Sequence, residues 1–213
     1  MISLIAAAFL TSCNKDSEGV SSVTSYPTVE LKGDQALTVL VNGTYTDSGV
    51  LALEGTKDIS SSVKMEGSVD VTKTGVYTIK YTATNKDGFT ASARRYVGVI
   101  TPAAAAMDIS GTYRRNAGAK GFAIVSKTSY PGLYMNNNPG GATSDGTTAG
   151  TSVNNILIYM FQIDATVISA PSQDSKVGEF ACTGGVYDDT NKLYKWVCVN
   201  AGYGTSVRTF IKQ

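Results

Sequence analysis

The segment from Val76 to Thr84 places the strongest constraint on the fold, because its side chains repeat with a period of two. Tyr, Ile, Tyr and Ala occupy alternate positions from Tyr77 onward, and Thr and Lys fill the positions between them. This alternation places the larger side chains on one face of a strand. The turn-forming sequence Asn-Lys-Asp-Gly follows at 85–88, and residues 89–99 resume a strand-like pattern. The segment therefore predicts a β-hairpin with one buried face.

Comparable strand-like segments occupy most of the chain, and none of them has the caps and periodicity of a long helix. The other predicted strands are residues 28–31, 37–41, 59–65, 108–115, 121–127, 155–168, 179–183, 193–200 and 206–212. A Thr-Pro step followed by four alanines at 101–106 divides them into two groups. We predict an all-β protein with a first module at 26–101, a linker at 102–107, and a second antiparallel β-sandwich or barrel at 108–213.

The chain contains no histidine, which excludes Ser-His-Asp and Cys-His catalytic centres and histidine-ligated metals. Its 18 Lys and Arg nearly balance its 17 Asp and Glu, so it lacks the concentrated basic face that nucleic-acid binding requires. No Asp-x-Asp-x-Asp calcium spacing occurs. The acids considered for glycoside hydrolysis show no spacing that pairs any two of them; they are Asp164, Asp174, Glu179, Asp188 and Asp189. We predict no catalytic residue, no metal site and no cofactor.

The amino terminus carries the sequence signals for location. Residues 1–10 form an apolar run too short to span a membrane, which is typical of a signal-peptide core. The run ends in Leu-Thr-Ser-Cys at 10–13, which resembles the lipobox of bacterial lipoproteins and implies lipidation of Cys13. The alternative is an ordinary cleaved signal followed by a free cysteine. We interpret residues 1–13 as signal peptide and lipobox, and residues 14–25 as a polar tether.

The first five residues of this tether, Asn-Lys-Asp-Ser-Glu, are similar to the short Lys/acidic signal of Bacteroides-type surface lipoproteins. That resemblance implies an outer-membrane lipoprotein at the cell surface, with a periplasm-facing orientation as the alternative.

Cys182 and Cys198 are equidistant from Thr190, the centre of a predicted hairpin turn at 188–192. A hairpin centred there places the two cysteines opposite each other, with Cβ atoms about 4.5–5.5 Å apart. This separation is near the range that a disulfide closes, and exported proteins permit disulfides. We predict either a disulfide or a facing pair of thiols.

Several short motifs in the first module follow an order typical of one domain family. They are Tyr-Pro-Thr at 26–28, Gly-Thr-Tyr-Thr-Asp-Ser-Gly-Val at 43–50, Gly-Ser-Val-Asp at 67–70, Gly-Val-Tyr at 75–77 and Tyr-Thr-Ala-Thr-Asn at 81–85. Together they resemble the bacterial immunoglobulin-like domains of surface lipoproteins and adhesins. The resemblance implies an immunoglobulin-like β-sandwich that acts as a spacer or contact module and carries no catalytic residues. Within it, the Gly-x-Tyr step resembles a tyrosine corner.

Aromatic and amide side chains gather in residues 130–150, which we expect to form a long loop. Aromatic rings pack on sugar C–H faces, while amides and carboxylates bond sugar hydroxyls. The glycan-binding candidates on this loop and on a second wall are Tyr130, Tyr134, Asn136, Asn137, Asn138, Tyr187, Asp188, Asp189, Trp196 and Tyr203. The alternative is that the tyrosines pack in the core and the Asn/Gly run only turns the chain. Trp196 shares its predicted face with both cysteines, which favours an inward position.

Paired arginines at 94–95 and 114–115 are candidates for anion binding, with exposed strand charge as the alternative. We expect a non-enzymatic, membrane-anchored surface lipoprotein that binds extracellular glycan as an accessory to polysaccharide uptake. The first alternative is an adhesive or structural protein that contacts a partner lipoprotein or host molecule. The second is a histidine-free hydrolase with paired carboxylates. The expected partners are therefore a glycan or a surface protein, with membrane contact only through the lipid anchor.

Overall fold

The computed structural model describes residues 24–142 and 156–213, and its first half is a β-sandwich. The predicted signal peptide, Cys13 and most of the predicted tether lie outside these residues. The strands of the sandwich are β1 (Pro27–Leu31), β2 (Ala36–Leu40), β3 (Val50–Glu54), β4 (Lys57–Asp58), β5 (Lys64–Glu66), β6 (Gly75–Thr84) and β7 (Thr90–Ile100). One sheet has the order β1-β3-β4 and the other β2-β7-β6-β5. Strand β2 runs parallel to β7, and the other pairs are antiparallel.

The alternation in β6 has the predicted consequence. Ile79, Tyr81 and Ala83 are buried in the sandwich core, while the residues between them are partly or largely exposed. The Tyr77 hydroxyl donates a hydrogen bond of 2.8 Å to the carbonyl of Lys73, four residues upstream. This bond is the contact that defines a tyrosine corner, and it fixes the entry of the chain into β6.

The prediction of one strand at 59–65 was wrong. Ser60–Ser62 form a 3-10 turn, and a strand begins only at Lys64. The Ser60 hydroxyl accepts a hydrogen bond from the Ala52 amide, and the Asp58 carboxylate accepts one from the Ser60 amide. These local bonds compete with the strand ladder, as short hydroxyl and carboxylate side chains often do.

The sandwich contains a buried cation. Arg95, on β7, is 1% exposed and donates a hydrogen bond of 2.7 Å to Asp47. It also donates to the carbonyls of Lys32, Asp34 and Gly49, at 2.5, 3.2 and 3.3 Å. The four partners lie in loops before β2 and before β3, so one guanidinium ties both loops to β7.

Asp47 makes the stability of the sandwich depend on pH. Partial burial by itself raises its pKa, but hydrogen bonds from two tyrosines and Arg95 lower the pKa from 3.8 to about 2. A depressed folded-state pKa contributes stability that is present above pH 3.8 and is lost as pH falls through about 2. We expect a loss of about 2 kcal/mol in the free energy of unfolding across that window.

Urea unfolding followed by circular dichroism at pH 5, 3.5 and 2.5 measures this loss. Asp47→Asn should be less stable at pH 5 and should show a flatter pH dependence than the native chain. The matched control, Asp58→Asn, removes an exposed carboxylate and should keep most of the native slope. An equal slope in the native chain and Asp47→Asn would contradict the assignment.

The second half of the chain is a closed barrel. Its strands are β8 (Gly111–Arg115), β9 (Phe122–Lys127), β10 (Leu133–Asn136), β11 (Ile158–Gln162), β12 (Val167–Ser175), β13 (Gly178–Asp188), β14 (Leu193–Val199) and β15 (Val207–Lys212). Each strand pairs antiparallel with the next, and β15 pairs with β8. Of the predicted alternatives, sandwich or barrel, the structure therefore shows an eight-stranded up-and-down barrel. Closure leaves no sheet edge unpaired.

One strand prediction and one loop prediction in this half were wrong. The expected single strand at 155–168 is two strands, β11 and β12, because the Asp164 carboxylate accepts hydrogen bonds from the amides of Thr166 and Val167 and turns the chain. The expected loop at 130–150 contains β10, whose four residues pair with both β9 and β11. Residues 143–155 of that loop lie outside the described part of the chain.

The barrel core is aromatic. Tyr194 stacks on Phe210 with ring centroids 4.7 Å apart, and Trp196 meets Tyr194 edge-on at 4.9 Å. The Tyr113 hydroxyl donates 2.7 Å to the carbonyl of Ile109, four residues upstream, so a Gly-x-Tyr step opens the barrel as another opens β6. In the described part of the chain, no helix has the length and apolar character needed to cross a membrane.

The segment between the two halves is an ordered helix rather than an extended connection. Helix α1 (Pro102–Ala106) begins after Thr101, whose hydroxyl accepts a hydrogen bond from the Ala104 amide. Ala104 is buried in a cluster that also contains Tyr96 and Ile100 from the sandwich and Leu133 and Phe161 from the barrel. This shared cluster holds the sandwich and the barrel in one arrangement.

The two halves pack closely against each other at Gly98. A Cβ at this position would lie 2.5 Å from Cδ1 of Phe161 and 3.1 Å from Cγ2 of Thr38. We expect Gly98→Ala to lower the free energy of unfolding by about 1–3 kcal/mol, because the buried Phe161 ring must shift. Gly202→Ala is the matched control, since among the described residues its Cβ would meet only Asn200 Oδ1, at 3.5 Å. Thermal unfolding of both variants measures the difference, and equal midpoints would contradict it.

Candidate functional site

Half of the predicted glycan-binding residues face the barrel interior. Five of the ten are at most 2% exposed: Tyr134, Asn136, Asn138, Tyr187 and Trp196. Their polar atoms have internal partners: Asn138 Nδ2, for example, donates to the carbonyls of Phe122 and Ala142 at 2.8 and 2.7 Å. Trp196 Nε1 donates 2.9 Å to the carbonyl of Pro139. These side chains have no surface for a ligand, and their place is the predicted alternative of core packing.

The five partly exposed candidates lie in separate places. Tyr130 follows β9. Asp188 ends β13 and Asp189 begins the β13–β14 turn, which is half-way around the barrel from β9. Asn137 and Tyr203 lie in the β10–β11 and β14–β15 connections, at the opposite end of the barrel. The structure therefore does not bring the two predicted walls together.

The turn carboxylates have a local role. Asp188 accepts hydrogen bonds from the Asn191 side chain and amide, and these bonds lower its pKa. Asp189 pairs with Lys192 at 2.5 Å, and that bond lowers its pKa as well. Both acids stabilise the hairpin turn that they begin.

Cys182 and Cys198 lie opposite each other in the β13–β14 register, as the hairpin symmetry predicts. The structure holds them as two buried thiols, with Sγ atoms 4.0 Å apart, and the disulfide stays a prediction. Burial, together with the hydrogen bond to Cys198, raises the pKa of Cys182 well above its ordinary value. A protonated buried thiol is a poor nucleophile, which agrees with a structural role for Cys182.

The sequence did not reveal a crevice at the junction of the two halves. Its volume is about 180 Å³, and it lies where β10, β11 and β12 approach the sandwich. Apolar and aromatic side chains form its floor: Tyr96, Met135, Leu157 and Tyr159. Leu157 is 52% exposed, although it precedes a buried strand. A neighbouring hollow, formed by Leu157 and residues 174–176, shares Leu157 and Asp174 with the crevice.

Hydrogen-bonding groups surround this floor. Gln35 from the sandwich and Asp174 from the barrel line the crevice, and the Asp174 side chain is 90% exposed. Gln173 holds the floor in place, because its side chain accepts 2.7 Å from the Tyr159 amide and donates 3.0 Å to the Tyr159 carbonyl. The crevice thus combines a fixed aromatic floor with polar groups that remain accessible.

Contacts across the junction keep the crevice walls together. Arg94 on β7 pairs with Glu179 at 2.9 Å and lies 3.9 Å from Asp174. A hydrogen bond from Ser172 and the pairing with Arg94 lower the pKa of Glu179. On another part of the junction, Tyr130 donates 2.5 Å to Asp34. Because these bonds join the sandwich to the barrel, they fix the distance between the polar groups on the two sides.

The arginine pairs singled out in the sequence differ in environment. Arg94 and Arg95 are occupied by carboxylates of the chain, whereas Arg114 and Arg115 form no ion pair with any described residue. In the two described ranges, no three Cys, Asp or Glu side chains come close enough to hold a metal ion.

Comparison with known proteins identifies the first half. Residues 29–99 match the family model described as a bacterial surface protein, Ig-like domain. A lipoprotein from Bacteroides thetaiotaomicron is 24% identical over 88% of this chain and 100% of that one, with a TM-score of 0.40. A Clostridium perfringens structure of an M60 catalytic domain with two CBM51 domains is 19% identical over 56% of this chain and 15% of that one, with a TM-score of 0.32. A search of curated proteins found no match. The β-sandwich formed by β1 to β7 is an immunoglobulin-like domain of the bacterial surface protein type.

Proposed function

We propose that this chain is a lipid-anchored surface protein that binds extracellular glycan in the crevice between its two halves and performs no catalysis. The observation that carries the proposal is the crevice itself, in which the Tyr159 floor lies beside Gln35 and Asp174. Ligand sites form preferentially at domain junctions, and sugars need an aromatic or apolar face together with amide and carboxylate partners.

Two sequence observations support the location. The family matched by residues 29–99 is described as a bacterial surface protein domain. The lipobox-like sequence at 10–13 supplies a lipidation site at Cys13, and acyl chains contribute about 0.8 kcal/mol per buried CH₂ toward membrane attachment. We propose that the anchor lies in the outer membrane and that both domains face outward, where the protein acts as an accessory to polysaccharide uptake.

Affinity electrophoresis of the full chain through a panel of neutral and acidic polysaccharides tests the binding. We expect retention by at least one polysaccharide, and we expect Gln35→Ala and Asp174→Ala to weaken it by about tenfold each, since each removes hydrogen bonds to a sugar hydroxyl. Lys195→Ala, which changes an exposed side chain of β14 across the barrel, is the control and should bind as the native chain does. Retention that neither crevice variant weakens would overturn the crevice assignment, and no retention at all would overturn glycan binding.

One observation favours a protein partner instead. Tyr26 and Phe89 form an edge-on ring pair at the surface of the sandwich, with centroids 4.8 Å apart and exposures of 64% and 43%. Exposed aromatic pairs are typical of protein contacts. Co-purification from outer membranes distinguishes the two functions, because a stable protein partner would be recovered from the native chain and lost from a Tyr26→Ser/Phe89→Ser variant.

A further inference from the structure

A second hollow lies at the end of the barrel where β8 ends and β15 begins, away from the crevice. Its volume is about 580 Å³. Two of its nine lining residues are charged, and both are arginines: Arg115 at the end of β8 and Arg208 at the start of β15. Asn200 and Tyr203 from the β14–β15 connection form another part of its wall. Among the described residues that line it, the hollow therefore carries two positive charges and no carboxylate.

Both guanidinium groups converge on one carbonyl. Gly140 O accepts 2.7 Å from Arg208 and 3.4 Å from Arg115. Arg208 is 7% exposed, lies 5.0 Å from the centroid of the Tyr203 ring, and also donates to the Tyr203 carbonyl. Its Nε is buried and has no hydrogen-bond partner in the described part of the chain. Arg208 thus fixes the wall of the hollow, and Arg115 is the more accessible of the two cations.

This arrangement is unfavourable for the protein alone. Partial burial of Arg115, followed by the charge of Arg208, lowers the pKa of Arg115. Neither arginine forms an ion pair within 24–142 or 156–213. The other buried or half-buried arginines do: Arg94 pairs with Glu179, and Arg95 with Asp47. An anion beside Arg115 and Arg208 would offset their repulsion, and the planar guanidinium fork matches a carboxylate or sulfate.

We propose that the Arg115/Arg208 hollow binds the oxyanion group, carboxylate or sulfate, of an acidic ligand that the chain does not itself provide. The site is distinct from the crevice and does not depend on it. The oxyanion group could belong to a free anion or to an acidic sugar, and these two ligands are distinguished by the choice of probe.

Thermal unfolding and calorimetry of the full chain test this assignment with sodium sulfate and with oligogalacturonate as probes. We expect both probes to stabilise the native chain, and Arg115→Gln to weaken binding by about tenfold or more, because charge-assisted hydrogen bonds are the strong ones. Arg114→Gln, the exposed neighbour on the same strand, is the matched control and should bind as the native chain does. Tighter binding of oligogalacturonate than of sulfate indicates an acidic sugar, and equal binding indicates a free oxyanion.

A second measurement needs no ligand. Without added anion and at low salt, Arg115→Gln should be at least as stable as the native chain, because it removes the repulsion from Arg208. A lower stability would show that Arg115 already has an anionic partner in the chain and would overturn the proposal. Asp145→Asn tests one candidate for such an anionic partner. Asp145 comes shortly after Ala142, which lines the hollow, but lies outside the described residues. Oxyanion binding seen only in Asp145→Asn would likewise overturn it, as would equal stabilisation of the native chain and Arg115→Gln.

Discussion

Arg95→Leu should lower the free energy of unfolding of the immunoglobulin-like domain by about 3–5 kcal/mol, the cost of breaking a buried ion pair from one side. The substitution leaves Asp47 without its cation and removes the Arg95 donor from the carbonyls of Lys32 and Asp34. The Gly49 carbonyl also loses Arg95 but keeps the hydrogen bond that it accepts from the Lys32 amide. Unsatisfied buried groups cost more than the original bonds contributed. The neighbouring residue supplies the control: Arg94 is 29% exposed and its acidic partners are more than half exposed, so Arg94→Leu should cost about 0–1 kcal/mol.

The position of the single tryptophan makes this result easy to assign. Trp196 lies in the barrel, so its fluorescence reports the unfolding of the barrel, whereas circular dichroism reports both halves. Arg95→Leu should lower the urea midpoint of the dichroism transition more than it lowers the urea midpoint of the fluorescence transition. Replacing both partners, as Asp47→Leu/Arg95→Leu, should restore part of the lost stability, because no unpaired charge remains. A double variant less stable than Arg95→Leu would contradict this account.

Trp196→Ala should destabilise the barrel by about 3–5 kcal/mol, which is the usual cost of removing a large buried aromatic side chain. The indole is fully buried against Tyr194 and Phe210, and its N–H is bonded to Pro139. Trp196→Phe should cost less, because it keeps most of the packing and Cys198 still donates to the Pro139 carbonyl at 3.3 Å.

Urea unfolding followed by circular dichroism measures both tryptophan variants, and Lys195→Ala serves as the exposed neighbour on the same strand. The experiment also decides between the two sequence interpretations of Trp196. A residue in a glycan-binding wall would lose binding on substitution with little loss of stability. Native-like stability of Trp196→Ala would therefore contradict the core position.

Sequence reasoning succeeded where a pattern had one structural meaning. The alternation in β6 required a buried face, and the symmetry about Thr190 gave the register that pairs Cys182 with Cys198. It failed for Tyr134 and Asn136, because buried and exposed tyrosines and asparagines look alike in a sequence rich in turns. The signal that was available is the two-residue spacing of Asn136 and Asn138, which allows both amides to point inward. Asn136 donates to the Tyr194 hydroxyl, and Asn138 donates to the Phe122 carbonyl.

The sequence contains weaker signals for the crevice and for the arginine hollow than for the strands and the cysteine pair. Gln35 and Asp174 are far apart in sequence, and tertiary contacts such as the packing of Gly98 against Phe161 bring their domains into a fixed arrangement. The adjacent arginines at 114–115 were visible as a pair, but the pair that matters is Arg115 with Arg208, which the β15–β8 pairing creates.

That same pairing has a consequence for the order of folding. The first strand of the barrel completes its ladder only with the last one, so β8 remains half-paired until residues 207–212 are available. Contacts between such distant segments make folding slow. The immunoglobulin-like domain, in contrast, is complete by Ile100 and can fold while the barrel strands are still being synthesised. A chain interrupted between β14 and β15 would present a folded first domain attached to an open sheet with two unpaired edges, which is a template for aggregation.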